Sequence, residues 1–229
     1  MLYFENKKAF TLVEVLVTLG IIGVVSALTL PNVMTNYKNK VYVAELQRIC
    51  NVLSGAAERL MKDEEVDNMS YTSLFIDPAV DESLSGELYQ NAVKTAMENF
   101  FNSYFKVKKL CGFQNDGCYG TEYKGLNRRA GVFPLYPSEQ YCAKVDTGAT
   151  VCISSYKSNQ IAEVSIDTNG PKAPNVLGRD AFTLKLDRKG TIRESANGLS
   201  RSDDCAKNYI EYGVGCFDRI VKNGWKMDY

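Results

Sequence analysis

The chain has 229 residues, enough for one or two domains with a buried core. Its 27 lysines and arginines balance 27 aspartates and glutamates, so no net positive field exists to concentrate nucleic acid, and we predict no nucleic-acid partner. The sequence contains no histidine. This absence excludes Ser-His-Asp and Cys-His catalytic sites and histidine metal sites, and with them most familiar enzyme chemistries.

The charges are unevenly distributed, because Glu14 is the only charged side chain in residues 10–37. Residues 10–30 form an apolar run that would extend about 32 Å as a helix, close to the hydrocarbon thickness of a bilayer. Lys7 and Lys8 directly precede this run, which favours a cytoplasmic N-terminus. We therefore predict one membrane-spanning helix, with the rest of the chain outside the cytoplasm.

Three other interpretations of the apolar run are a cleaved secretory signal, a plain signal anchor and a buried core helix. A signal peptidase could accept the small residues at 25–27. Glu14 argues against both signal interpretations, because a carboxylate costs on the order of 2.5–3.5 kcal/mol at the centre of a bilayer, and ionisable groups at such depth are usually functional. A plain anchor has no use for this charge.

The residues around Phe10 carry a recognisable pattern, since residues 7–14 read KKAFTLVE and an unbroken apolar run follows. The pattern resembles the N-terminal cleavage and methylation motif of type IV pilins and type II secretion pseudopilins, with Ala9 in place of the usual glycine. The resemblance implies that a prepilin peptidase removes residues 1–9 as a leader and that the new amino group of Phe10 is methylated.

The resemblance also gives Glu14 a role in assembly. In pilin-like filaments the corresponding carboxylate pairs with the terminal amine of a neighbouring subunit, here on Phe10, and removal of one partner from a buried pair costs about 3–5 kcal/mol. An intrachain pair between Glu14 and the amine of Phe10 is the alternative, because residues four apart share one helix face.

Pro31 stands 21 residues after Phe10, where a proline is common in the same family. A proline cannot donate a backbone hydrogen bond, so we expect Pro31 to kink or locally melt the helix. The alternative is that Pro31 ends the membrane span.

Residues 31–62 are predicted to form an amphipathic stalk helix. Apolar residues recur there every three or four positions, and this stripe should pack on the globular part of the chain. The stripe consists of Tyr42, Leu46, Ile49, Leu53, Ala56 and Leu60. A second helix is predicted over residues 85–105, with its apolar face at Leu88, Ala92, Ala96, Phe100 and Tyr104.

From about residue 140 the pattern changes to short β-rich runs, which include 150–155, 160–166 and 181–186. A tight turn is predicted at 187–190, leading into a strand at 191–193. The predicted fold class is therefore α+β, with a long N-terminal helix packed on a small antiparallel-sheet head. The predicted organisation is a leader at 1–9, a transmembrane or filament-core helix at 10–30, the stalk helix at 31–62 and a globular extracytoplasmic head at 63–229.

The chain contains seven cysteines and no Cys-x-x-Cys pattern, which leaves zinc ribbons and thioredoxin-like sites with little support. An extracytoplasmic head permits disulfides. Turn residues inside two of the short loops favour local pairing, which is one of fifteen possible connectivities of six cysteines. The local pairs are Cys111 with Cys118, Cys142 with Cys152, and Cys205 with Cys216. Cys50 would then be free and buried, or would join two subunits.

The segment 167–180 resembles a strand-loop-strand segment common in pseudopilin heads. Asp167, Asn169 and Asp180 could supply oxygen ligands to Ca²⁺. Their spacing is not that of an EF-hand, however, and such residues at turns more often serve the backbone conformation. We therefore predict no metal site and no cofactor.

The sequence predicts a structural subunit of a type IV pilus-like filament or of a type II secretion pseudopilus, and no enzyme. The resemblance implies other copies of the chain, further pilin-like subunits, the prepilin peptidase and an inner-membrane assembly platform as partners. It implies a single-pass protein of the inner membrane, assembled into a periplasmic or cell-surface filament. The alternative is a membrane-anchored extracytoplasmic binding or enzyme domain with an unprocessed signal anchor.

Overall fold

The computed structural model describes residues 10–75, 86–113, 117–127, 130–132, 140–154, 162–194, 205 and 213–229. The chain divides into two compact units, residues 1–39 and residues 40–229. Residues 40–62 of the predicted stalk therefore belong to the same unit as the predicted head.

One helix, α1 (Leu12–Asp63), contributes residues to both units. It continues through Pro31, so this proline neither melts nor ends the helix, and a kink at Pro31 stays a prediction. A proline removes one hydrogen bond, and the neighbouring turns keep theirs. After Asp63 the helix closes with Glu65 at φ 55°, while the Val66 amide donates to the Met61 carbonyl at 2.9 Å. This is the bonding of a Schellman C-cap, with glutamate where glycine is usual.

The second unit contains a six-stranded antiparallel sheet in the order β1-β4-β5-β6-β7-β8 and a two-stranded sheet of β2 and β3. The strands are β1 (Val107–Gly112), β2 (Tyr123–Lys124), β3 (Ala130–Val132), β4 (Gln140–Val145), β5 (Thr150–Ser154), β6 (Ala162–Asp167), β7 (Ala181–Leu186) and β8 (Ile192–Glu194). The other helices are α2 (Glu87–Tyr104) and α3 (Cys216–Lys222), with a short 3₁₀ helix at Met69–Tyr71. The predicted α+β class is confirmed.

The sheet has two chemically different faces, because successive side chains of a strand point to opposite sides. On β5, Val151 and Ile153 belong to the main core cluster, whereas Cys152 belongs to a second, smaller cluster. All six residues of the predicted α1 stripe are buried, and Leu46 and Leu53 are fully inaccessible. The prediction that this stripe packs on the globular part is therefore confirmed.

The predicted second helix exists, but its buried face differs from the prediction. Val93, Met97, Phe100 and Phe101 are buried, whereas Leu88 is 64% exposed. The apolar row predicted from Leu88 to Tyr104 is therefore not the buried face of this helix. The helix carries two overlapping apolar rows, and only the packing against the sheet selects the row that contains Val93 and Met97.

Strands β1, β2 and β3, the short 3₁₀ helix and helix α3 are not predicted from the sequence. The residues after α3 fold back on the second unit, where the Tyr229 hydroxyl donates to the Gly178 carbonyl at 2.5 Å. Arg219 pairs with Asp228 at 2.7 Å and lies over the Tyr229 ring. The C-terminal residues are thereby tied to the loop between β6 and β7.

Candidate functional site

The first unit presents an apolar helix surface that the chain itself does not cover. No residue from 10 to 38 is buried, and side chains such as Leu12, Leu16 and Ile22 are 59–77% exposed. An 18-residue window of α1 has a mean hydropathy of 2.2, with none of it buried within the chain, so the helix is long and apolar enough to cross a membrane. The alternative of a buried core helix is excluded, and this surface needs lipid or other protein around it.

The start of α1 is organised around Glu14. Its Oε2 atom accepts hydrogen bonds from the backbone amide and the hydroxyl of Thr11, both at 2.8 Å. The Glu14 amide in turn donates to the Thr11 hydroxyl at 3.2 Å. This reciprocal arrangement is a capping box, in which the two side chains satisfy backbone donors that have no partner inside the helix.

Sequence reasoning assigned Glu14 and did not assign Thr11, although the pattern Thr-x-x-Glu before an apolar run is a known signal for a helix start. Phe10 lies just before the helix and is 87% exposed. The peptide bond that follows Ala9 is therefore next to an accessible residue, while Ala9 itself lies outside the described residues.

Residues 5–30 match the family model of the prokaryotic N-terminal methylation motif. The chain carries the prepilin-type signature of type IV pilins and pseudopilins. No curated protein and no solved structure matches the chain. The matched motif thus covers Glu14 and the first part of α1 together with residues before Phe10, and the second unit has to be interpreted from its own geometry.

The second unit contains three disulfides, which join Cys111 to Cys118, Cys142 to Cys152, and Cys205 to Cys216. These are the local pairs considered from the sequence. Cys142 and Cys152 face each other directly across β4 and β5, and the third pair links α3 to residue 205. Cys50 is a free, buried thiol on α1, and burial raises its pKa to about 12. A thiol in this state is a poor nucleophile.

Two carboxyl groups are fully buried at one end of the sheet, Asp167 and Asp180. Asp167 accepts a hydrogen bond from the Tyr123 hydroxyl at 2.5 Å, and Asp180 accepts from the amides of Asn175 and Val176 at 2.9 and 2.7 Å. Burial raises the pKa of Asp167 to about 7 and that of Asp180 to about 6. Through these hydrogen bonds both acids hold the loop between β6 and β7 in its conformation.

Residues considered from the sequence as calcium ligands take part in hydrogen bonds within this loop. The amide of Asn169 donates to Asp167 at 3.2 Å, and its side-chain nitrogen donates to the Lys172 carbonyl at 2.6 Å. Within the described part of the chain no group of three Asp, Glu, His or Cys side chains is placed to hold a metal ion. Tyr123, which the sequence did not single out, is the partner that places Asp167.

A third perturbed carboxyl group, Glu194, lies at the end of β8. It accepts hydrogen bonds from the amides of Phe217 and Asp218 at 3.1 and 3.4 Å, and burial raises its pKa to about 7.

A groove of about 700 Å³ lies elsewhere, between the end of α1 and α2, with Leu60, Ala96 and Phe100 in its lining. None of these three carboxyl groups with a raised pKa lines this groove. The groove therefore lacks these buried acids as candidates for an active site.

Proposed function

We propose that this chain is a structural subunit of a filament of the type IV pilus or type II secretion pseudopilus class. A prepilin peptidase cleaves it after Ala9, the new amine of Phe10 is methylated, and the mature protein polymerises with copies of itself and with other pilin-like subunits. Before assembly it is anchored in the inner membrane by α1, with residues 40–229 outside the cytoplasm.

The observation that carries this proposal is the exposed apolar part of α1, with one carboxylate in its first turn, located at the methylation motif. A signal anchor needs only the apolar surface. A filament subunit also needs a charge that fixes the register between neighbours, and Glu14 supplies it. The three disulfides support the extracytoplasmic location of the second unit, because such bonds persist in oxidising compartments.

In this proposal Glu14 changes partners on assembly. While the leader is attached, the nitrogen of Phe10 is an amide without charge, and Glu14 is held by Thr11. Cleavage converts that nitrogen to an ammonium group, which attracts a carboxylate much more strongly in a medium of low dielectric constant than neutral donors do. The neighbour's amine can therefore replace Thr11 as the main partner of Glu14.

The decisive experiment is to determine the N-terminus of the protein isolated from its native membrane by intact-mass measurement and peptide sequencing. The proposal expects an N-methylated Phe10 as the first residue. A start at Leu28 would establish an ordinary secretory signal, and a retained Met1 would establish a plain anchor. Ala9→Leu provides the matched control, because a bulky residue before the cut should block processing while the apolar helix still inserts.

A further inference from the structure

The acids Asp167 and Asp180 are close neighbours in the fold. Asp167 is the last residue of β6, and its partner across the strand pair is Ala181 on β7. Asp180 directly precedes Ala181, so the two carboxyl groups lie at the same end of the β6–β7 pair. Both residues are 0% exposed, and the charge of Asp180 disfavours ionisation of Asp167.

Several neutral hydrogen-bond donors face this pair. They include the Tyr123 hydroxyl on β2 and the backbone amides of Asn169, Asn175 and Val176. Neutral donors stabilise a carboxylate, but they do not cancel its charge. A buried pair of this kind is costly when both members are ionised.

The charged and titratable groups around the pair come from three elements. Arg179 in the loop favours the ionised form of Asp180. Burial raises the pKa of Tyr42 on α1, and the charges of both acids raise it further, while Tyr123 on β2 contacts Asp167 directly. Burial outweighs the hydrogen bonds and leaves the pKa of both acids well above the ordinary value of 3.8.

We propose that Asp167 and Asp180 make the loop between β6 and β7 a proton-sensitive element of the second unit. Near pH 5 both carboxyl groups carry a proton and the loop is held by neutral hydrogen bonds. Near pH 8 two buried negative charges repel each other and the loop loosens. Residues 124 and 229 contact the same loop through Leu177 and Gly178, so its loosening reaches β2 and the C-terminal residues.

The direction in which stability changes with pH follows from proton linkage. An acid with a higher pKa in the folded state binds more protons when folded than when unfolded at intermediate pH, so the folded state gains stability as the pH falls through that range. The gain in stability accumulates between about pH 7 and pH 4, because the pKa of Asp167 is about 7 in the folded state and 3.8 ordinarily. The chain contains no histidine, so no imidazole titrates in this range, but the raised pKa of Glu194 lies in it as well.

The first test is the thermal unfolding midpoint of the full chain in detergent micelles, with its disulfides intact and with EDTA present, between pH 5 and pH 8. We expect the midpoint to be higher by about 3 °C or more at pH 5.5 than at pH 8. Asp167→Asn should reduce this difference to about half and should raise the midpoint at pH 8. Glu122→Gln, an exposed residue beside Tyr123, is the matched control and should keep the full difference.

Glu194 also titrates in this range, and Glu194→Gln measures its share separately. If Asp167→Asn does not fold, carboxyl ¹³C NMR on the wild-type chain provides the same answer, because Asp167 and Asp180 should titrate as a coupled pair between pH 5 and 8. Tyr123→Phe removes a donor to the ionised form and should move the titration of Asp167 to higher pH.

Three results would overturn the proposal. The first is a wild-type midpoint that does not change between pH 5.5 and 8. The second is titration of both carboxyl groups below pH 5. The third is a rise of the midpoint at pH 8 on addition of 1 mM Ca²⁺ without EDTA, because a cation would then neutralise the pair. The proposal concerns the second unit alone and stands or falls independently of filament assembly.

Discussion

Glu14 shows how one residue can serve the local structure and the assembly of the chain. Within the single chain its carboxylate satisfies donors at the start of α1, and Thr11 is the partner. These donors are neutral, so the negative charge stays uncompensated, and such a charge in an apolar surrounding is costly. The capping box therefore explains the position of the carboxylate, and the need for a cation explains its proposed function.

Glu14→Gln removes the charge and keeps the size and most of the hydrogen-bonding capacity of the side chain. We expect this variant to insert and to be cleaved nearly normally, because losing a charge makes the span more apolar. Assembly should fail, since the amine of a neighbouring Phe10 would lose its partner at a cost of about 3–5 kcal/mol. Fibre yield by electron microscopy, together with the mass of the membrane-bound protein, measures both effects.

Thr11→Val is a suitable companion, because it removes the cap and keeps the charge of Glu14. A wild-type yield of fibres from Glu14→Gln would contradict the charge pairing, even with correct processing at Phe10. A block of cleavage by Glu14→Gln would instead assign the carboxylate to recognition by the peptidase.

At the level of elements, α2 is the helix whose core face only the packing determines. Its two apolar rows meet at Phe100, and the row that contains Met97 faces the sheet, whereas Leu88 is left at the surface. Phe100 and Phe101 contact each other edge to face at 5.9 Å, and Phe101 stacks on Tyr141 of β4. The contact between Phe101 and Tyr141 helps to fix the rotation of α2 about its axis.

A pair of alanine substitutions tests this rotation. Met97→Ala should lower the free energy of unfolding by about 2–5 kcal/mol, because it opens a cavity in the core. Leu88→Ala removes an exposed side chain and should change it by less than about 0.5 kcal/mol. Chemical denaturation of the disulfide-bonded protein gives both values. Equal losses in the two variants would contradict the observed face.

The disulfides belong to the same scale, because they join β1 to residue 118, β4 to β5, and residue 205 to α3. We expect peptide mapping of the exported protein without reductant to recover the three local pairs, with Cys50 unmodified by alkylating reagents until the chain unfolds. Its burial and its raised pKa are the physical reason. Free thiols among the six others, or bonds across the local pairs, would contradict this scheme.

At the scale of the whole molecule, the chain separates an apolar, uncovered part from a part with its own core. The main core cluster contains α1 residues only from Val43 onward, and it includes the stripe residues from Leu46 to Leu60. The second half of α1 is therefore as much a part of the core as the sheet is.

A chain consisting of residues 40–229 should consequently fold, remain monomeric and stay soluble without detergent. A chain that starts at residue 63 should aggregate, because it lacks Leu46, Ile49 and Leu53, which are almost completely buried. Gel filtration and circular dichroism of the two oxidised fragments measure the difference. A soluble, folded fragment 63–229 would show that the core does not require α1.

The sequence by itself determined the features that depend on neighbouring residues. The apolar run, the position of Glu14 and the motif at residues 5–30 are local patterns, and so are the short β-rich runs that form strands β5 to β7. The period of a helix also sufficed to place the buried stripe of α1, since only one of its faces is apolar there.

Only the tertiary structure decided which face of α2 is buried, that β1 extends the sheet, and that Tyr123 meets Asp167 across 44 positions of sequence. Each of these outcomes depends on which elements pack together, and a local pattern does not carry that information. The local sequence does not mark Asp167, Asp180 and Glu194 as buried acids, and their raised pKa values arise mainly because folding removes water from them.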